Sequence, residues 1–332
     1  MSLDPAVAAV RLAVRRTLER EPAGRQVVVA CSGGADSLAL LAAAAVEGHK
    51  QGRRVLGVTV DHGLQDGSQA QAERVVSQMA ALGADETMTV RVDVHATGQG
   101  PEAAAREARY AVLEEVAQRT GGVVLLGHTR DDQAETVLLG LTRGSGGRSI
   151  AGMRASYDDV RRPLLDVTRE QTAAACRAEG IEFWTDPHND DPRFTRARVR
   201  HVVMPTLERE LGPGVAATLA RTAEQLQEDV SALDAISDQA YADARRDDGL
   251  DVAVLASLPA AVRRRVLRLA ALEAGAPASE LFRVHVLALD ELVTAYRGQR
   301  WVDLPGHRRG RRMGERIVVE GSDGTAGNAV GG

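Results

Sequence analysis

Cysteine is nearly missing: Cys31 and Cys176 are the only two in 332 residues, and they lie far apart with no CxxC pair. That scarcity argues against a disulfide scaffold, a cysteine-ligated metal cluster or a dithiol relay, and it fits a reducing cytoplasm. Aromatic residues make up only 3% of the chain. A hydrophobic content of 44% still suffices for one sizeable core and a smaller second one, so two domains are expected. No uninterrupted apolar stretch approaches the roughly 20 residues needed to cross a bilayer, and the amphipathic N-terminal stretch Asp4 to Arg20 carries charges throughout. Neither a membrane segment nor an export signal is expected. Positive charge is not in excess either, with 41 basic against 46 acidic side chains and a formal net charge of -5. Any nucleic-acid contact must therefore come from a local basic patch. There is no GxxxxGK[ST] loop, no GxGxxG and no internal repeat.

What is present begins at Cys31-Ser32-Gly33-Gly34-Ala35-Asp36-Ser37, between the apolar run Val27 to Ala30 and the helix-forming stretch Leu38 to Val46. A strand that delivers a glycine turn to a helix start makes an anion trap, because backbone N–H groups and the helix dipole both favour phosphate. A carboxylate in such a turn repels the anion unless a cation intervenes, so Mg²⁺ bridging Asp36 to the phosphates is expected.

Short apolar runs at Val27–Ala30, Val55–Val60, Glu86–Val92 and Val123–Gly127 alternate with helical patterns at Leu38–Glu47, Ser68–Leu82, Pro101–Thr120 and Asp132–Leu141. The alternation predicts an α/β fold with a parallel sheet covered on both faces. Ligands bind beyond the carboxyl ends of such strands, so the loops after Ala30, Val60 and Gly127 should converge. From Arg161 to Pro213 the pattern is irregular, with turn material at Asp186 to Pro192. Gly212-Pro213-Gly214 then punctuates the chain before a long helix, Val215 to about Asp247. Further helices are expected at Leu258–Glu273 and Glu280–Tyr296, with short strands at Trp301–Leu304 and Ile317–Glu320. The expected organisation is a catalytic domain over 1–212, a smaller, mainly helical domain over 213–320, and a disordered glycine-rich tail over 321–332.

Three carboxylates and a histidine crowd the junction Gly127-His128-Thr129-Arg130-Asp131-Asp132-Gln133-Ala134-Glu135. Asp132 and Glu135 are neighbours on one helical face. Acidic residues there stabilise a helix dipole, yet three of them opposite the carboxylate-bearing turn exceed what a dipole requires, and point to a metal and nucleotide site. Asp61-His62-Gly63 would complete the rim, or serve as a turn with a helix cap. Arg106, Arg109 and Tyr110 share one helix face, which Glu–Arg pairing on a solvated surface also explains. Arg193, Arg196, Arg198, Arg200 and His201 beside Phe194 suit phosphate contacts and base stacking, and equally a solvated helix start. Arg263-Arg264-Arg265 with Arg268, and Arg308-Arg309 with Arg311-Arg312, are two more basic patches.

The ordered series SGGADS, VDHGL, EAAAREARY, GHTRDDQAETVLLGLTRGSG, RRPLLDVTRE and FWTDPHNDDPRFTRARVRHVVMPTLE resembles the tRNA(Ile)-lysidine synthetases of the PP-loop ATP pyrophosphatase superfamily, over about residues 25 to 210. The resemblance implies an adenine nucleotide alpha hydrolase-like fold and a cytoplasmic, ATP-dependent ligase that forms a carbon–nitrogen bond. ATP would adenylate the wobble cytidine of a CAU-anticodon tRNA(Ile), and L-lysine would then displace AMP. It also implies that Ser32, Gly33, Gly34, Ala35, Asp36 and Ser37 hold pyrophosphate with Asp61 on the rim. Asp36 with Asp132 or Glu135 would bind Mg²⁺. Arg106 and Arg109 would steady the adenylated cytidine or the lysine, and His128 occupies a motif histidine of open role. Asp132 or Glu135 is a candidate base. Arg193, Arg196 and Arg200 would contact tRNA, and a homodimer is compatible. Thr129, Gln65, Phe194 and Ala197 depart from the family pattern.

Two other enzymes use the same activation. A PP-loop tRNA thiolase would want paired cysteines, and a small-molecule amidating ligase would bring a glutaminase domain. A catalytically silent RNA-binding homologue is the non-enzymatic alternative, and retention of all three acidic positions opposes it.

Overall fold

The computed structural model describes residues 3–61, 68–92, 101–144, 146–185 and 190–321. The expectations for His62, Gly63, Gln65, the turn at 186–189 and the tail from 322 lie outside the described residues. The chain divides into two compact units, Met1–Gln227 and Glu228–Gly332.

The first unit runs α1 (Pro5–Leu18), β1 (Val27–Ala30), α2 (Ala35–Lys50), β2 (Val55–Asp61), α3 (Ser68–Ala81), β3 (Glu86–Arg91), α4 (Pro101–Thr120) and β4 (Val123–Leu125). It continues through α5 (Arg130–Arg143), α6 (Gly147–Ile150), β5 (Ser156–Tyr157), β6 (Val160–Arg161), α7 (Arg169–Ala178), α8 (Thr195–Arg198), a π-helical turn (Val199–Val203) and α9 (Met204–Leu211) into α10 (Val215–Ala244). The division between units falls inside α10, later than the Gly212-Pro213-Gly214 punctuation suggests. Gln227 explains the difference, since its Nε2 donates to the Ala151 and Met153 carbonyls at 2.5 and 2.7 Å and ties the first half of α10 to unit 1.

The sheet order is β3-β2-β1-β4-β6-β5. All neighbours are parallel except the β5–β6 hairpin, an antiparallel edge that the sequence pattern did not signal. Alternation along the strands assigns the two faces. Val27, Val29, Val123 and Leu125 pack under α1, α2 and α7, whereas Val28, Val124 and Leu56 pack with Leu113 and Val116 of α4. The chain leaves β1 toward β2 on one side and returns as β4 on the other, so the topological switch point lies between β1 and β4.

The segment from Arg161, irregular in sequence, holds α7, α8 and α9. The Thr168-to-Gln171 capping box, with Gln171 N donating to Thr168 Oγ1 at 3.1 Å and Thr168 N to Gln171 Oε1 at 2.9 Å, starts α7.

Helix α1 is clasped to α2 by one buried carboxylate. Glu47 is 1% exposed and accepts from Arg11 and Arg15 at 2.8 Å and from Lys50 at 3.2 Å. The Arg15 guanidinium, foremost among these cations, draws the Glu47 carboxyl from the ordinary 4.5 down to about 2. A carboxyl whose folded pKa is depressed stabilises the fold above its ordinary pKa and loses that contribution as pH falls toward the folded value. Arg15 and Lys50 are solvent-accessible, which reduces the contribution to about 2 kcal/mol. Glu47→Gln is therefore expected to lower the unfolding free energy by about that much at pH 7. The deficit relative to wild type should fade between pH 4.5 and pH 2. Urea titrations at pH 7 and pH 3 check this, and a deficit that is constant with pH would contradict it.

The second unit adds β7 (Arg245–Arg246), β8 (Gly249–Asp251), α11 (Val252–Ser257), α12 (Ala260–Glu273), α13 (Arg283–Thr294), β9 (Val302–Leu304), β10 (Arg308–Met313) and β11 (Arg316–Gly321). Alongside its helices it carries an antiparallel sheet ordered β7-β8-β11-β10-β9. The arginine-rich patch at 308–312 is a strand of that sheet. The expected helix from Leu258 starts at Ala260 because Pro259 precedes it as the cap residue. Among the described residues no helix is long and apolar enough to cross a membrane.

Candidate active site

The turn after β1 is built as an anion nest. Gly33 has φ +84, and a Cβ there would lie 2.7 Å from Val75 Cγ2, so only glycine fits. Gly34 caps α2 without a side-chain hydrogen bond, leaving the first helical N–H groups without a side-chain acceptor. Ser37 braces the turn: its Oγ donates to the Gly34 carbonyl at 2.9 Å and accepts from Ser32 N at 3.2 Å. Trp184 N donates to the Gly33 carbonyl at 2.9 Å. Cys31 sits beneath the turn, and burial pushes its thiol up to about 12.

The loop after β4 meets this turn. A Cβ on Gly127 would come within 3.0 Å of the Asp36 carbonyl oxygen, so the absence of a side chain lets β4 approach the start of α2. Asp36 and Asp132 are thereby brought close enough to repel. Burial first, with the Asp132 charge adding to it, pushes the Asp36 carboxyl up to about 6, against a hydrogen bond from Thr172 Oγ1 and the charges of Arg169 and Arg200. Asp36 Oδ2 accepts no hydrogen bond among the described residues.

Asp132 is the third residue of a capping box, its Oδ2 accepting from Thr129 N and Oγ1, both at 2.9 Å. Its Oδ1 accepts from Arg169 Nη2 at 2.8 Å and Arg200 Nη2 at 3.3 Å. Burial pushes this carboxyl up, but Arg169, the Thr129 N–H and Arg200 prevail and hold it below the usual carboxylate range. Glu135, 1% exposed, accepts from Arg200 Nε at 2.8 Å, Arg200 Nη2 at 3.2 Å and Arg169 Nη2 at 3.1 Å. Arg196 Nε lies 3.8 Å from Glu135, and its Nη2 donates to Thr136 Oγ1 at 3.0 Å.

Arg196 and Arg200 lie against α5, where Arg196 bonds Thr136 and Arg200 bonds Asp132 and Glu135. Both residues flank or enter the π-helical turn. Arg193, Arg198 and His201 are exposed, and Arg193 chelates Asp191 at 2.6 and 2.8 Å.

Beyond the acid pair lies a layer of cations. Arg162 donates from Nε to His128 Nδ1 at 3.1 Å and from Nη2 to the Tyr110 hydroxyl at 3.1 Å. Burial, followed by Arg162, Arg106 and Arg109, pulls the His128 imidazole down to about 3 despite Asp132. It is therefore neutral, and because Nδ1 accepts, its proton is on Nε2. Arg106 and Arg109 pack over the Tyr110 ring at 5.0 and 5.9 Å. Burial, then the Arg106 and Arg196 charges, hold Arg109 below the ordinary arginine range, although Tyr110 opposes them. Asp61 ends β2 and is buried at the same carboxyl edge of the sheet.

Sequence reasoning missed Arg162, Arg169 and Thr172, the groups that hold His128, Asp132 and Asp36. Arg162 and Arg169 lie inside RRPLLDVTRE, so the signal was present as a motif. Their partners are more than 30 residues away in sequence, which local spacing cannot reveal.

A fit for Mg²⁺ follows from the donors. Mg²⁺ is commonly held by one or two carboxylates plus substrate phosphates. Asp36 offers a hard oxygen that accepts no hydrogen bond among the described residues, near a second carboxylate whose repulsion a divalent cation would relieve. Among the described residues no group of three or more His, Cys, Asp or Glu side chains is arranged to hold a metal.

Residues 10–207 match the PP-loop domain family, and residues 250–316 match the TilS substrate binding domain family. The first match covers more than half of the chain, which is thus a PP-loop protein. The tRNA(Ile)-lysidine synthase of Thermobifida fusca (strain YX) is 55% identical, over 95% of this chain and 98% of that protein. That of Streptomyces coelicolor (strain ATCC BAA-471 / A3(2) / M145) is 50% identical, over 96% and 99%. The chain belongs to the tRNA(Ile)-lysidine synthase family. Among solved structures, the U34-tRNA thiolase NcsA from Methanococcus maripaludis with its [4Fe-4S] cluster superposes with a TM-score of 0.57 at 19% identity, covering 67% of this chain and 80% of that one. That likeness concerns the fold alone. Both cysteines here are buried and free, so the thiolase alternative lacks the paired thiols it would want.

Proposed function

We infer that this chain is a tRNA(Ile)-lysidine synthase, an ATP-dependent ligase that forms a carbon–nitrogen bond. ATP adenylates the carbonyl oxygen of the wobble cytidine in a CAU anticodon with release of pyrophosphate. The ε-amine of L-lysine then displaces AMP. The observation that carries this reading is that the start of α7 holds both carboxylates, Thr172 bonding Asp36 and Arg169 bonding Asp132, beside a glycine turn at the start of α2.

In this reading, Ser32 to Ser37 hold the pyrophosphate leaving group through backbone N–H groups and the Ser37 brace. Mg²⁺, bound by Asp36 with Asp132 at its side, would neutralise phosphate charge. Arg169 and Arg200, fixed by Asp132 and Glu135, stand where they lower the Asp36 carboxyl, and so offset charge that builds on the α-phosphate. The ε-ammonium of lysine must shed a proton before attack. Asp132, held ionised by guanidinium groups, is a weak acceptor, so its role is electrostatic positioning and not that of the base. Neutral His128 can donate from Nε2, and Arg106 and Arg109 present positive charge to the nucleotide or to the lysine carboxylate.

Mass analysis of a CAU-anticodon tRNA transcript incubated with the protein, ATP, Mg²⁺ and lysine tests the reading. The expected product is heavier by one lysine less one water, on the anticodon cytidine only, with AMP and pyrophosphate released in equal amounts. A sulfur-mass increment, or unmodified tRNA in the presence of all substrates, would overturn it.

A further inference from the structure

Strands β9, β10 and β11 sort their side chains between two faces of the unit-2 sheet. A Cβ on Gly310 would lie 2.2 Å from Leu289 Cδ2, and Arg312 Nη1 donates to the Leu292 carbonyl at 3.3 Å, so Gly310 and Arg312 face α13. Alternation turns Arg309, Arg311 and Met313 to the opposite face. Asp303 stands across the ladder from Arg309, with Val302 and Leu304 turned to the core, which places Trp301 on the outward face as well. The guanidinium carbons of Arg300 and Arg309 lie 4.5 and 4.7 Å from the centroid of the Trp301 ring. From Arg300 to Gly321 the chain carries six arginines against Asp303, Glu315 and Glu320, a local excess of three positive charges in a chain of formal net charge -5.

We propose that this outward face is an RNA-docking platform, on which the Arg300–Trp301–Arg309 stack takes an unpaired nucleotide of the tRNA and Arg309 and Arg311 pair with its phosphates. The proposal rests on the tRNA reading above and assigns part of that recognition to these residues. Arginine planes stack on bases as well as pairing with phosphate, and the tryptophan holds two of them in place before RNA arrives. An aromatic side chain displayed on an open sheet face, among cations, is the arrangement that single-stranded nucleotides stack upon. Arg309 pairs with exposed Asp303 at 3.2 Å, and Arg311 with Glu320 at 2.9 Å in a half-buried pair. Ion pairs that solvent reaches are weak enough to exchange for a phosphate partner. A protein partner would call for a contact centre depleted of charge, which this face does not offer.

The test measures binding of a CAU-anticodon tRNA transcript to the full-length chain over a range of salt concentrations. Trp301→Leu is expected to weaken binding about five- to fiftyfold with the salt slope unchanged, and Trp301→Phe to restore most of it. Arg309→Gln is expected to reduce the salt slope by about one. ATP binding without tRNA, and the thermal unfolding midpoint, should match wild type in all three. Wild-type affinity and slope in both Trp301→Leu and Arg309→Gln would overturn the platform while leaving the tRNA reading intact. Failure of the wild-type chain itself to bind tRNA would remove both. A change in sedimentation mass in Trp301→Leu with unchanged tRNA affinity would assign the face to a second protein copy and also overturn the proposal.

Discussion

Asp36→Asn is expected to reduce adenylation by about 10²–10³-fold or more, the magnitude that follows when a preorganised charge-stabilising group is lost at a reacting phosphate. Asparagine keeps the shape and can still accept the Thr172 hydrogen bond, so the turn should stay folded. The substitution also removes a charge that burial and Asp132 both oppose. Its unfolding midpoint should therefore rise, since charged groups confined at functional sites are retained at a cost in stability. ATP–pyrophosphate exchange in the presence of tRNA, paired with calorimetry and tRNA binding, separates the outcomes. Lost exchange with a raised midpoint and unchanged tRNA affinity is the expected pattern. Normal turnover would remove Asp36 from the chemistry, and a lowered midpoint would mean that the carboxylate is structural.

Arg200→Ala is expected to destabilise the fold by about 3 kcal/mol, because breaking a buried ion pair strands the remaining charge and Glu135 is almost fully enclosed. Arg169 still reaches both carboxylates, which keeps the loss at the low end for such a deletion. Adenylation should fall by about a hundredfold, while the salt slope of tRNA binding stays at the wild-type value. The slope is the discriminating measurement: a phosphate contact releases counterions and a carboxylate clamp does not. Arg200→Lys should rescue little, since one ammonium cannot replace the Nε and Nη2 donors that span Asp132 and Glu135. A slope flattened by about one in Arg200→Ala would return this residue to the RNA interface.

The contrast between those two residues shows what the sequence could and could not convey. The setting of Asp36 is legible because it is local: an apolar strand, two glycines and a helix start place it in a tight turn at the first turn of α2. The parallel sheet follows from the alternating Val-rich runs and helical stretches, whereas the strand order and its switch point come from the structure. Arg200 is different. Its neighbours in sequence, Arg193, Phe194 and Arg198, look like one basic surface, yet a π-helical turn and the approach of α5 direct it inward to Glu135. Nothing in the spacing reports that a guanidinium has a buried partner 65 residues away. Strand β10 was hidden for a related reason. Arginines on both of its faces mask the period-two alternation, and only Gly310, seated against Leu289, reveals the inward side.

Cys31 lies at the floor of the nucleotide turn, enclosed and with its proton firmly held. Thiol chemistry needs the anion, so peroxide, electrophiles and mixed disulfides find no nucleophile there while the turn keeps its shape. The chain thus carries a sulfur atom beneath this turn without inheriting sensitivity to oxidative stress at that position.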